Sequence, residues 1–186
     1  MIVNPSFNLI PILLFIIGIC FGKGKIDTTG VININLVSKS FRPKSSIPSK
    51  YTCQGQEISP PFNWDKGPEN TRSYAIIMTD PDVPIPFVTI THWIVYNISA
   101  DQTSLSENIP AGKKLENGIS QGKRTFGKYG YMGPCPPFGE HRYFFRIYAL
   151  DKMLDIPPQK ASRRRIMKVI QEHVVGFGEM YGLYAK

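Results

Sequence analysis

From residue 31 onward, hydrophobic and polar positions alternate more often than they recur at helical spacing. Between residues 31 and 37, Ile32, Ile34 and Leu36 interleave with Val31, Asn33, Asn35 and Val37, which predicts a strand with apolar residues on the even positions. Residues 74–78, Tyr-Ala-Ile-Ile-Met, are a short continuous apolar run of the kind a buried strand needs. The run stops at Thr79-Asp80-Pro81-Asp82, where proline and carboxylates end the pairing. Residues 88–98 predict the next strand, with Trp93 and Val95 around His92. In residues 141–149, Tyr143, Phe145, Ile147 and Ala149 alternate with Arg142, Phe144, Arg146 and Tyr148, a period-2 strand with a strongly apolar face. Residues 160–175 lack Gly and Pro and repeat Ile166, Val169, Ile170 and Val174 at helical spacing. They predict an amphipathic helix on the sheet, followed by a short helical turn near residues 179–184. The polar, weakly patterned residues 100–128 read as a long surface excursion.

The N-terminal part has a different pattern. Residues 10–21 are apolar apart from Pro11 and Gly18. A dozen such residues fall short of the roughly 20 that span a bilayer, but match the apolar core of an export signal. Residues 1–24 are therefore expected to be an export signal or N-terminal anchor and residues 25–186 one domain, acting in the periplasm or secreted. Lipidation at Cys20 is the lesser alternative. The net charge of +8 favours anionic partners without selecting one. The basic run Arg163, Arg164, Arg165 and Lys168 reads as a solvated helix face, so nucleic acid is not expected. The three cysteines, Cys20, Cys53 and Cys135, have no metal or redox spacing. Export would leave Cys53 and Cys135 in an oxidising compartment, where a disulfide is the expectation and two buried thiols the alternative. Such a bridge closes about eighty residues and is worth roughly 4–5 kcal/mol by loop entropy.

Candidate chemistry gathers where predicted strands begin or end. Residues 130–139 hold three glycines and three prolines, so they form a shaped loop leading into the strand at His141. Asp80, Asp82, His92 and His141 all stand at strand ends, where the backbone is fixed and a side chain can still face a cavity. Two histidines and two carboxylates suit a metal by type, but no metal-binding spacing supports one, and no cofactor is expected. Gly118-Ile119-Ser120-Gln121-Gly122 matches G-x-S-x-G, yet lacks the strand before and the helix after that a nucleophile elbow requires. A hydrolase using His141 with Asp80 or Asp82 is the remote reading. Anion binding fits better. His92 and His141 donate hydrogen bonds, Tyr143 offers a phenol, and the glycine-rich loop offers backbone N–H groups. Asp80 or Asp82 would orient a histidine, and an amine-bearing phosphate ester would satisfy both signs of charge.

Three segments together carry a family resemblance. Asp80-Pro81-Asp82-Val83-Pro84 with His92-Trp93-Ile94-Val95-Tyr96-Asn97-Ile98 resembles the first signature of the phosphatidylethanolamine-binding protein (PEBP) family, and residues 131–143 resemble its second. Residues 53–64 are similar to the preceding segment in the YbhB/YbcL (Raf kinase inhibitor-like) branch. The resemblance implies a mainly β fold, a Greek-key antiparallel β-sandwich with one or two C-terminal helices. It also implies a pocket for phosphate-type anions and phospholipid head groups, lined by Asp80, Asp82, His92, Pro137, His141 and Tyr143. The expected function is non-enzymatic binding, with inhibition or regulation of a partner kinase or protease through the pocket rim as the alternative. In this arrangement Cys135 would tether the loop wall to Cys53.

Overall fold

The computed structural model describes residues 31–186, so the expected export segment and Cys20 lie outside the described residues. Nine strands and one α-helix follow in chain order: β1 (Ile32–Asn33), β2 (Leu36–Val37), β3 (Phe62–Trp64), β4 (Ser73–Asp80), β5 (Ile90–Ser99), β6 (Ser104–Leu105), β7 (Ser120–Gln121), β8 (Glu140–Leu150), α1 (Arg163–Ile170) and β9 (Val174–Ala185). They build a six-stranded sheet in the order β1-β9-β8-β4-β5-β7 and a three-stranded sheet in the order β2-β3-β6. All pairings are antiparallel except β1 with β9, which is parallel.

Two apolar layers follow from the side-chain alternation. Ile76, Met78, Trp93, Val95, Phe145 and Ile147 face Leu36, Phe62, Trp64 and Leu105 of the small sheet. Ala75, Ile77, Ile94, Tyr96 and Tyr148 face the other way, under Ile166 and Ile170 of α1. The large sheet is therefore the middle of three layers, and every residue of β4 is buried. That double burial explains the continuous apolar run at residues 74–78, where a strand with one wet face would alternate. Among the described residues no helix is long and apolar enough to cross a membrane.

Three expectations are corrected. Residues 31–37 are not one strand: β1 joins the large sheet, β2 joins the small one, and Ile34 and Leu36 are buried while Ile32 is exposed. Residues 100–128 are not merely a surface excursion, since β6 and β7 complete both sheets. Gln121 is wholly buried there, accepting from Trp93 Nε1 at 2.7 Å and donating to the Pro110 and Gly112 carbonyls at 2.8 and 3.1 Å. A polar side chain tolerates that depth because each of its groups is paired. The helix spans only Arg163–Ile170, capped by Ser162, whose hydroxyl accepts from Arg165 N, and residues 179–184 are not a helical turn but part of the twelve-residue β9.

Glycine explains β9. A Cβ on Gly178 would sit 2.0 Å from the Ile34 carbonyl oxygen, so only glycine lets the β1–β2 segment cross the strand at this distance. The Ile34 amide bonds to the Phe177 carbonyl at 2.8 Å across the same crossing.

Candidate functional site

The site lies at the end of the large sheet where β4 finishes and β5 and β8 begin. Asp80 is the last residue of β4 and pairs with Ile90 of β5. Its Oδ2 accepts from His141 Nδ1 at 2.8 Å, and both side chains are buried. Its Oδ1 accepts from the Asp82 amide at 2.8 Å, which closes the turn after β4. Asp80 is thus the carboxylate that orients a histidine. Asp82 is not: Arg142 holds it through Nε, Nη2 and its backbone amide at 2.8, 2.6 and 2.9 Å. That guanidinium keeps the Asp82 carboxyl below the ordinary carboxylate range. Arg142 sits on the face of β8 opposite Tyr143, so this pair stiffens the rim beside the pocket.

His92 reaches the site through an irregularity in pairing. Met78 pairs with Trp93 and Thr79 with Thr91, leaving His92 as an extra residue in β5. A bulge of this kind re-aims a side chain. Simple alternation would turn His92 with Ile94 toward α1. Instead its ring meets that of Tyr143, on the sandwich face, edge-on at 5.2 Å. His92 Nδ1 donates to the Met132 carbonyl at 2.9 Å, because a carbonyl only accepts. Burial, more than any neighbouring charge, holds the His92 imidazole below the ordinary histidine range. Its neutral form then presents a bare lone pair on Nε2.

Tyr143 lies between the two histidines, with its ring nearly parallel to that of His141 at 6.4 Å. The side chain is fully buried, and its hydroxyl meets no partner at full hydrogen-bond geometry, although the Asp80 carboxylate and the Cys135 backbone lie near enough to act on it. Burial first and the Asp80 charge second push this phenol far above the ordinary tyrosine range, so it remains a neutral donor. Four buried side-chain polar atoms lack a partner among the described residues, and two of them, Tyr143 Oη and Arg124 Nε, belong to this site.

Arg124 is the residue the sequence reading missed. Residues 122–125 continue β7 along β5: the Gly122 amide bonds to the Ile94 carbonyl at 3.0 Å, and the Thr125 amide to the Thr91 carbonyl at 2.9 Å. These bonds bracket Arg124 against His92, and its charge disfavours protonation of that histidine. The only local signal was an arginine before a threonine able to pair with an edge strand. Glu57 was missed too. Its Oε1 accepts from the Gly133 amide at 3.2 Å and props the loop wall.

Residues 130–139 form the shaped loop leading into β8, tied by a Cys53–Cys135 disulfide with Cα atoms 5.5 Å apart. The Cys53 amide also bonds to the Pro134 carbonyl at 3.1 Å. A Cβ on Gly133 would lie 2.9 Å from the Thr52 backbone, so the two segments approach too closely for any other residue. Pro137 sits exposed on the outer part of this loop. Ser120 is buried in β7 opposite Tyr96, within a strand and not at a strand-to-helix turn, so the elbow geometry is absent there.

The site therefore offers two hydrogen-bond donors, Arg124 Nε–H and the Tyr143 hydroxyl, beside two imidazole Nε2 atoms. A phosphate bearing both P–O⁻ and P–OH groups matches that set of donors and acceptors.

Comparison with known proteins identifies the family. Residues 37–185 match the family model described as phosphatidylethanolamine-binding protein. The chain is 45% identical over 153 residues to a UPF0098 protein of Methanothermobacter thermautotrophicus, covering 82% of this chain and 99% of that one. It is 41% identical over 184 residues to a UPF0098 protein of Pyrococcus horikoshii, covering 96% and 90%. Among solved structures, a phosphatidylethanolamine-binding protein homologue from Chlamydia trachomatis superimposes with a TM-score of 0.75 at 35% identity, covering 83% of this chain and 98% of the other. YbcL from E. coli gives a TM-score of 0.75 at 26% identity, covering 82% and 98%. With its fold, its signatures and its relatives in agreement, the chain belongs to the phosphatidylethanolamine-binding protein family.

Proposed function

We propose that this chain is a non-enzymatic binding protein for phosphate-type anions, phospholipid head groups included. The ligand would sit between His92, His141, Tyr143 and Arg124. The observation that carries this reading is the Tyr143 hydroxyl, fully buried yet without a partner. A buried donor left unmade is costly, and a bound oxyanion is the simplest group to complete it. Asp80 supports the reading by fixing His141 through Nδ1, which aims its other nitrogen at the ligand. Among the described residues the histidines hydrogen-bond to the Met132 carbonyl and to Asp80 and not to a serine or cysteine, which favours binding over group transfer. We also place its action outside the cytosol, because paired cysteines suit an oxidising compartment and residues 10–21 have the composition of an export signal.

An NMR titration with phosphate and with phosphoethanolamine tests the reading. Both ligands should displace the imidazole signals of His92 and His141, while chloride at equal ionic strength should not. Unmoved signals at millimolar ligand, with the protein folded, would overturn it.

A further inference from the structure

The outer face of the large sheet, opposite the sandwich core, holds polar groups that the fold leaves unsatisfied. Tyr148 of β8 lies there, only 3% exposed, in the layer that Ile166 and Ile170 of α1 cover. Its ring packs on Phe177 at 5.3 Å, and its hydroxyl forms no hydrogen bond among the described residues. Unlike the Tyr143 hydroxyl, it is not sealed in and opens on the surface. Burial pushes this phenol up to about 12, so it stays a neutral donor.

Arg163, the first residue of α1, is the second such group. Arg164, Arg165 and Lys168 are exposed, as a solvated basic run should be, whereas Arg163 is partly buried. Its guanidinium joins no ion pair and no hydrogen bond among the described residues. Burial first and the Arg146 charge second hold it below the ordinary arginine range. The first turn of a helix favours carboxylates, and α1 has none there. A cation set against the helix dipole, partly desolvated and beside another cation, is costly unless an anion meets it.

Arg146 completes the cluster. Two residues before Tyr148 on the same face of β8, it donates through Nε to Glu179 at 2.5 Å and through Nη1 to Thr79 at 2.9 Å. Arg146, Arg163 and Glu179 are the charges that act on Tyr148, and Arg146 is the one that acts on Arg163. Two guanidiniums against one carboxylate leave a surplus of one positive charge, which a monoanion balances and a dianion overshoots. A planar carboxylate also matches the fork of a guanidinium with a phenol beside it. Next along this face, Phe144 lies under the Arg146 guanidinium at 4.7 Å and against Tyr181 at 5.1 Å. Both rings are partly exposed, outside the layer that α1 covers, and give the anion position an aromatic neighbour.

We propose that Arg163, Tyr148 and Arg146 form a binding site for a carboxylate carried on an apolar or aromatic group. The carboxylate accepts from the Arg163 guanidinium and the Tyr148 hydroxyl, with its apolar body beside Phe144 and Tyr181. The site lies across the large sheet from the histidine site and does not rest on the anion reading of that site. A small free acid and the C-terminal residue of a peptide present the same chemistry.

The test is a titration of the full chain followed by NMR at the Arg163 Nε–H and the Tyr148 amide. Benzoate stands for a free acid, N-acetylphenylalanine for a peptide terminus, and N-acetylphenylalaninamide for the same body without charge. One or both acids should shift the two signals saturably at millimolar concentration, and which of them does so identifies the source. The amide, and chloride at equal ionic strength, should not. Tyr148→Phe and Arg163→Gln should each weaken binding by about tenfold or more, since each removes a hydrogen bond to a charged group. Without ligand, Arg163→Gln should hold or raise the urea midpoint, where loss of a purely structural arginine would lower it. The phosphate response of His92 and His141 should be the same in both variants as in the unaltered chain, which separates failure here from failure of the histidine site. Signals unmoved by either acid at tens of millimolar in the folded protein, or shifts undiminished in both variants, would overturn the proposal. So would phosphate binding at these signals as tightly as the acids.

Discussion

A buried phenol that donates to nothing costs about 1–3 kcal/mol relative to an apolar group of the same shape. Tyr143 carries that cost, its hydroxyl enclosed beside His92 and the Asp80–His141 pair with no partner at full hydrogen-bond geometry. Tyr143→Phe should therefore leave the free protein as stable or raise its stability by up to about 1 kcal/mol. The same change should weaken phosphate binding by about tenfold or more, since a hydrogen bond to a charged group is worth roughly 1.5–3 kcal/mol. Denaturant unfolding and calorimetric titration of one variant check both signs. Stability lost together with affinity would mean that the hydroxyl serves the fold and not a ligand. Asp82 shows the opposite situation: with three hydrogen bonds from Arg142, its carboxylate has little capacity left for an incoming group.

At the scale of elements, β9 has the sharpest sequence requirement. Gly178→Ala places a Cβ about where the Ile34 carbonyl oxygen stands, 2.0 Å away, and backbone cannot give way as a flexible side chain does. The β1–β2 crossing would have to lift from β9 and break the Ile34–Phe177 bond. The expected loss exceeds about 3 kcal/mol, beyond ordinary overpacking. Urea midpoints with unchanged slope would measure it, and a shift under about 1 kcal/mol would show that the crossing is looser than described. The same glycines hid this strand in the sequence, because Gly176, Gly178 and Gly182 remove the apolar half of its alternation. Ile34, Phe41 and Ile47, 130 or more residues earlier, supply much of the apolar contact instead. β4 and β8 were legible because their own side chains fill the core. In the site, Asp80, His141 and Tyr143 were legible from strand ends and parity. Arg124 was not, since its place depends on residues 122–125 pairing with β5. The roles of the two aspartates were not separable either, because a neighbouring strand's Arg142 decides them.

For the molecule as a whole, one covalent bond joins the loop wall to the small-sheet side. Cys53 and Cys135 are 82 residues apart, so their bridge removes roughly 4–5 kcal/mol of loop-closure entropy from the unfolded chain. A domain of this size is stable by only about 5–15 kcal/mol, so the bridge accounts for a large share. Cys135 is exposed, which opens the bond to a small dithiol without prior unfolding. The wall would not dissolve on reduction, because the Cys53–Pro134 and Gly133–Glu57 bonds and the packing of Gly133 on Thr52 persist. Reduction should therefore lower the unfolding free energy by several kcal/mol while leaving the protein folded at room temperature. It should also loosen the loop whose Met132 carbonyl holds His92, so phosphate affinity should fall by severalfold. Denaturant unfolding and phosphate titration, each with and without dithiol, measure the two effects. Cys53→Ser/Cys135→Ser supplies the control, since dithiol should change nothing in it. An unfolding midpoint unmoved by reduction would mean that the native contacts across the two segments already restrain the chain as tightly as the bond does.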